Sequence, residues 1–214
     1  MKRSFLLLAM CAAVPAVAKP KLPPCPPKGP QLFIAPMGEP FRTGPDEPYP
    51  VSAWFAKSDT DRDGRLTLKE FVADAERFFA VLDGDKDGEI IPDEVIRYER
   101  DIAPEIRLYE RKPMDRKALK KLKDAPAYGV PIGAGRWSLT NIPQPVIAAD
   151  EDFNRGITLA EFRSAAQQRF VSLAKGAGAL TLATLPMTPM QAAATNCVVE
   201  PAPVAAAPPP KARR

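Results

Sequence analysis

Residues 59–94 read DTDRDGRLTLKEFVADAERFFAVLDGDKDGEIIPDE. Two twelve-residue blocks, 59–70 and 83–94, each place aspartate at positions 1, 3 and 5, glycine at position 6 and glutamate at position 12. Between them Phe71, Val72, Ala75, Phe78, Phe79 and Leu82 recur at i, i+1, i+4, i+7, i+8 and i+11, the apolar stripe of one continuous helix. That helix therefore leaves the first block and enters the second. Val51, Trp54 and Phe55 precede the first block at helical spacing.

Carboxylates held this close repel one another unless a cation sits among them. A hard ion of calcium's size takes about seven oxygens, and the spacing provides them. Side-chain oxygens come from Asp59, Asp61 and Asp63 in the first block and from Asp83, Asp85 and Asp87 in the second. Arg65 and Glu89, at position 7, offer backbone carbonyls. Glu70 and Glu94 close the shell with both carboxylate oxygens, which favours calcium over the smaller, octahedral magnesium. Gly64 and Gly88 stand where the chain must turn sharply. At position 9 Thr67 can hold a water, whereas Ile91 cannot coordinate. Leu66 and Ile90, at position 8, are strand formers expected to pair with each other and couple the two sites.

On these blocks the chain resembles the EF-hand superfamily, and as a whole it resembles exported bacterial multi-EF-hand proteins. The resemblance implies helix–loop–helix units with Ca2+ in the loops. The pattern returns in DEDFNRGITLAE, residues 150–161, where Asp150, Asp152, Asn154 and Glu161 occupy positions 1, 3, 5 and 12 and form a third, weaker site. There position 6 is Arg155, and the glycine is displaced to Gly156. Further on, LTLATLP at 180–186 echoes the LTLKEF of the first block without its acids, as a vestigial fourth hand would. Pro143 and Pro145 shorten the helix that enters hand three. The expected fold class is all-α, with two EF-hand pairs, 51–101 and 140–186, joined within each pair by short loop β-bridges and flanked by proline-rich irregular arms.

The N-terminus sets Lys2 and Arg3 before an apolar run from Phe5 to Val14 and an A-x-A pattern at Ala16 and Ala18. It reads as a signal peptide over 1–18, which places the mature chain in the periplasm or outside the cell, with no transmembrane segment after cleavage. Eleven of the 26 prolines lie between Lys19 and Pro50, so 19–50 is expected as an irregular arm; the Pro/Ala-rich tail, 187–214, is expected to be disordered. Cleavage removes Cys11 and leaves Cys25 and Cys197, an even pair that suggests one disulfide in an oxidising compartment; separate thiols or an intermolecular bridge are the alternatives. Between the hand pairs, 102–139 forms a basic linker and a glycine-rich loop, with seven basic residues and one acid over 111–123. The run is expected as a solvated linker helix; the alternatives are attraction to residues 57–101, which carry eight basic and fourteen acidic residues, or to an anionic envelope surface.

Histidine is absent altogether, which removes the usual general base and the commonest zinc ligand. No nucleophile motif replaces it, and the expected protein is not an enzyme. Signal loss lowers the formal charge from +4 to +2, too little to imply nucleic acid. What remains is an exported calcium-binding protein with two ions in loops 59–70 and 83–94; a structural staple and a buffer are both open to it. The alternative is a calcium-responsive adaptor for a partner helix or an anionic envelope surface. Against a promiscuous groove, none of Met37, Met114, Met187 and Met190 falls on the apolar faces of the first two hands.

Overall fold

The computed structural model describes Cys25, residues 29–108 and residues 131–197. The expected signal segment, the basic run at 111–123 and the end of the tail from 198 lie outside the described residues. Five α-helices are present among those described: α1 (Val51–Ser58), α2 (Leu68–Leu82), α3 (Pro92–Arg97), α4 (Leu159–Ala174) and α5 (Pro189–Thr195). Three antiparallel two-stranded sheets join them. β1 (Gln31–Ile34) pairs with β2 (Pro40–Thr43), β3 (Leu66–Thr67) with β6 (Ala179–Leu180), and β4 (Glu89–Ile90) with β5 (Ile157–Thr158).

The strand pairing corrects the expected layout of two sequential hand pairs. Leu66 lies opposite Leu180 and Ile90 opposite Ile157, so the first loop does not meet the second. The reason is the helix between them. α2 has 15 residues and is about 22 Å long at 1.5 Å per residue, so it holds its two loops at opposite ends. α4 likewise runs from the third acidic loop toward β6. The two helices pack antiparallel, with Phe71 at the start of α2 against Phe170 near the end of α4, and Phe79 against Phe162 near its start; both ring pairs have centroids 5.6 Å apart. The loops then meet crosswise at the two ends of this helix pair.

The sequence sets up the seam directly. On α2 the buried residues include Phe71, Ala75, Phe78, Phe79 and Leu82, the stripe read from the periodicity. On α4 they are Phe162, Ala165, Ala166, Arg169, Phe170 and Ala174, with small alanines letting the aromatic rings of α2 approach. Thr67 and Thr158 cap α2 and α4, and in both the glutamate three residues on completes a capping box. After Pro143 and Pro145 only a 3-10 turn, Ile147–Ala149, leads into the third loop, as those prolines require.

Both arms are more ordered than expected. Part of the N-terminal arm is the β1–β2 hairpin, whose Phe33 and Ile34 are fully buried, Phe33 lying 5.5 Å from the Trp54 ring. Pro40 is tolerated because it opens β2 in a two-stranded ribbon, and Pro36 because it falls in the turn. In the tail, Thr188 caps α5 and shares a 2.7 Å hydrogen bond with the Tyr49 hydroxyl. Two residues beyond α5, Cys197 is disulfide-bonded to Cys25, which ties the two arms together. No helix among the described residues is long and apolar enough to cross a membrane.

Candidate metal centre

Each acidic loop lies between a helix or helical turn and a following helix, capped by a threonine side chain after the first and third loops, and each brings its carboxylates together. Asp59, Asp61 and Glu70 bring one oxygen apiece within 4.8 Å of one another, as do Asp83, Asp85 and Glu94, and Asp150, Asp152 and Glu161. These are positions 1, 3 and 12 of all three loops. At position 1, Asp59 is only 6% exposed; its Oδ2 accepts from the Gly64 amide at 2.9 Å, while its buried Oδ1 has no hydrogen-bond partner. Asp83 repeats this with the Gly88 amide at 3.1 Å, and Asp150 with the Arg155 amide at 3.1 Å. Their Oδ1 atoms are likewise buried and unpartnered.

Position 5 does a different job in the backbone. Asp63 and Asp87 stand outside the tight trios and accept from the amides of Arg65 and Glu89 at 2.7 and 2.9 Å. Asn154 does the same for the Gly156 amide at 2.7 Å, while its Nδ2 donates to Asp152. Arg65 immediately precedes β3 and Glu89 opens β4, so position 7 is where each loop passes into its strand.

At position 12 the glutamates are pre-set. Glu70 accepts from the Thr60 amide at 3.0 Å and from the Thr67 amide and hydroxyl at 2.9 and 2.8 Å. These bonds, the one from the Thr67 amide foremost, hold its carboxyl at about 2, well below the usual range. Burial pushes the Glu161 carboxyl up, yet hydrogen bonds from Thr158 and the Glu151 amide leave it below its ordinary value. Glu94 accepts from the amides of Gly84 and Ile91. The threonine hydroxyls at position 9 are thus engaged by the glutamates, a role that the reading of Thr67 as a water holder missed. The S/T-x-x-E spacing of a capping box was its signal.

The loops share one backbone. Position 4 is left-handed in all three, with φ of 61° at Arg62, 64° at Lys86 and 62° at Phe153. Position 6 is left-handed too, at 79° for Gly64, 91° for Gly88 and 79° for Arg155. The third loop therefore keeps the turn although it lacks the glycine, at a cost of roughly 1–2 kcal/mol. Its displaced glycine has its own surroundings. A Cβ on Gly156 would stand 1.4 Å from Oε1 of Glu89, whose side chain crosses the β4–β5 ladder.

Electrostatically the loops are under-compensated. At Asp61 the hydrogen bond from the Asp63 amide lowers the carboxyl, but desolvation and the neighbouring Asp63 and Glu70 leave it above its ordinary value. Oxygen-only donors, mutual repulsion and an unpartnered buried oxygen in each trio all suit a hard divalent cation.

A family model described as EF hand matches residues 51–73, which span α1, the first loop and the start of α2. No curated protein and no solved structure matches the chain. Residues 51–73 are thus an EF-hand, a unit that implies binding of a divalent ion, typically calcium.

Proposed function

We propose that this chain is an exported calcium-binding protein in which Ca2+ loads loops 59–70 and 83–94 and, more weakly, 150–161, and serves as a structural staple. The observation that carries the reading is the buried, unpartnered Oδ1 of Asp59, Asp83 and Asp150, each beside a position-3 aspartate and a position-12 glutamate. In the first loop Asp59, Asp61, Asp63, the Arg65 carbonyl and Glu70 would hold the ion, and Asp83, Asp85, Asp87, the Glu89 carbonyl and Glu94 in the second. Asp150, Asp152, Asn154 and Glu161 would hold the third, weakened by one fewer carboxylate and by the cation of Arg155.

The ion's contribution is charge. It neutralises carboxylates that otherwise repel and fixes each loop against the strand that follows it. Because β3–β6 and β4–β5 close the two ends of the α2–α4 pair, an ion bound at either end stabilises the whole helical unit by linkage. A staple suits this packing better than an adaptor does: the apolar faces of α2 and α4 are spent on each other, which leaves no lined groove between them.

Export is supported by the charged, apolar and A-x-A order of residues 1–18 and by the Cys25–Cys197 disulfide, a bond that persists in oxidising compartments. A binding protein rather than an enzyme is the reading the histidine-free composition favours. The crosswise strands support two coupled hand pairs, first with fourth and second with third.

Calorimetric titration of the purified, disulfide-intact chain with Ca2+ tests this. Two tight sites and one weaker are expected, and Glu70→Gln, Glu94→Gln and Glu161→Gln should each remove or weaken one. A chain that takes up no calcium, and whose helicity and thermal midpoint ignore chelator, would overturn the proposal.

A further inference from the structure

α4 carries a buried cation that calcium binding does not use. Arg169 is 5% exposed, and its Nη1 donates to the Pro36 carbonyl at 2.9 Å and to the Met37 sulfur at 3.2 Å, while Nη2 donates to the Pro145 carbonyl at 2.8 Å. Burial lowers its guanidinium to about 10, so it is still charged at neutral pH. Buried charges are ordinarily matched by an opposite charge, yet its described partners are neutral. A guanidinium has five N–H donors, and these bonds place three. The Nε–H and one Nη2–H meet no acceptor among the described residues.

Arg169 lines an open cleft of about 620 Å³ between the last turns of α4 and the segments 139–142 and 184–186. That volume is ordinary for a small-molecule site. No acidic residue lines it; Lys175, Gln168, Asn141 and Thr140 supply a second cation, two amides and a hydroxyl. Leu139, Ile142 and Leu173 give it an apolar wall. The carbonyl end of α4 carries partial negative charge, and Lys175, the residue that caps it, offsets that charge. The acidic loops contribute none of the lining residues.

We propose that this cleft binds a small organic carboxylate, its oxygens taken by the two free donors of Arg169 with Lys175 as the second cation, its apolar body against Leu139, Ile142 and Leu173. Paired N–H donors of one guanidinium match the two oxygens of a carboxylate, which a lysine in its place cannot do.

The test is a nuclear magnetic resonance titration of the full, disulfide-intact chain at saturating calcium, with acetate, succinate and benzoate as probes and benzamide as the neutral control. Saturable shifts are expected at the amides of 139–142 and 168–175 with benzoate, and binding at least tenfold weaker with benzamide. Arg169→Lys should weaken benzoate at least fivefold. Lys175→Gln, at an exposed position, should weaken it several-fold in a chain that keeps its helicity. The proposal is overturned if none of the three carboxylates saturates, if benzamide binds as well as benzoate, or if Lys175→Gln binds benzoate like the unmodified chain.

Discussion

Ile90 of the second loop lies opposite Ile157 of the third, and both side chains are buried. The rungs of this two-residue ladder are therefore shared between two acidic loops, whereas Leu66 of the first loop shares its rung with Leu180, in a segment without carboxylates. Fixing one loop of a ladder fixes the strand that its partner must use. Glu94→Gln is expected to lower calcium affinity at the third loop several-fold while leaving the first within about twofold. The position-6 amides of Gly64, Gly88 and Arg155 each donate to a position-1 aspartate and report the three loops separately. Equal effects on the first and third loops would contradict the crosswise coupling.

Arg155 holds a left-handed backbone, with φ of 79°, at the position where the other two loops have glycine. Glycine adopts that conformation freely, but it also loses more freedom on folding. The net gain expected for Arg155→Gly is about 1 kcal/mol of stability, and loss of the adjacent cation should tighten calcium at the third loop. Thermal unfolding, together with titration of the third loop in a Glu70→Gln and Glu94→Gln background, measures both. A looser third site in Arg155→Gly would mean that the arginine assists the loop.

The acidic trios were legible because a coordination shell built from twelve contiguous residues is local: its positions are fixed by spacing alone. Strand partners are not local. Leu66, Ile90, Ile157 and Leu180 are interchangeable apolar residues, and nothing in their identity says which faces which. The length of α2 does say it, since a helix shared by two loops keeps them apart, and that inference was available from the stripe Phe71 to Leu82. The β1–β2 hairpin was hidden for another reason. Its prolines sit at a strand's first residue and in the turn, where they do no harm, but in composition they count as breakers. Arg169 left no mark at all, because a single arginine on an alanine-rich helix face reads as solvent-exposed until its backbone acceptors, Pro36 and Pro145, are placed beside it by the fold.

Cys25 and Cys197 are 172 residues apart in sequence, so their bond closes a loop that contains every described residue. In the chain-entropy account, such a closure stabilises by roughly 5 kcal/mol relative to the open unfolded chain. Reduction, or Cys197→Ser, is expected to lower the urea midpoint at saturating calcium substantially while leaving the α2–α4 seam and the acidic loops at its ends intact in the folded form. Calcium affinity that collapsed with the disulfide would show that the arms, and not the helix pair, hold the loops in shape.

Glu70 ties acid stability to the metal-free loop. Its folded carboxyl lies near 2 against an ordinary 4.5, held down first by the Thr67 amide and then by the hydroxyl of Thr67 and the amide of Thr60. A group whose folded value is depressed contributes fully above its unfolded value and loses that contribution as pH falls through the folded one. The metal-free chain should therefore lose stability progressively as pH drops from about 4.5 toward 2, and Glu161, shifted in the same direction, adds to the slope. In Glu70→Gln the dependence over that window should flatten, because the amide makes its remaining bonds at every pH. Denaturant midpoints recorded at several pH values in the absence of metal decide it: identical slopes for the two chains would mean that the carboxylate's bonds to Thr60 and Thr67 form only once the ion is bound.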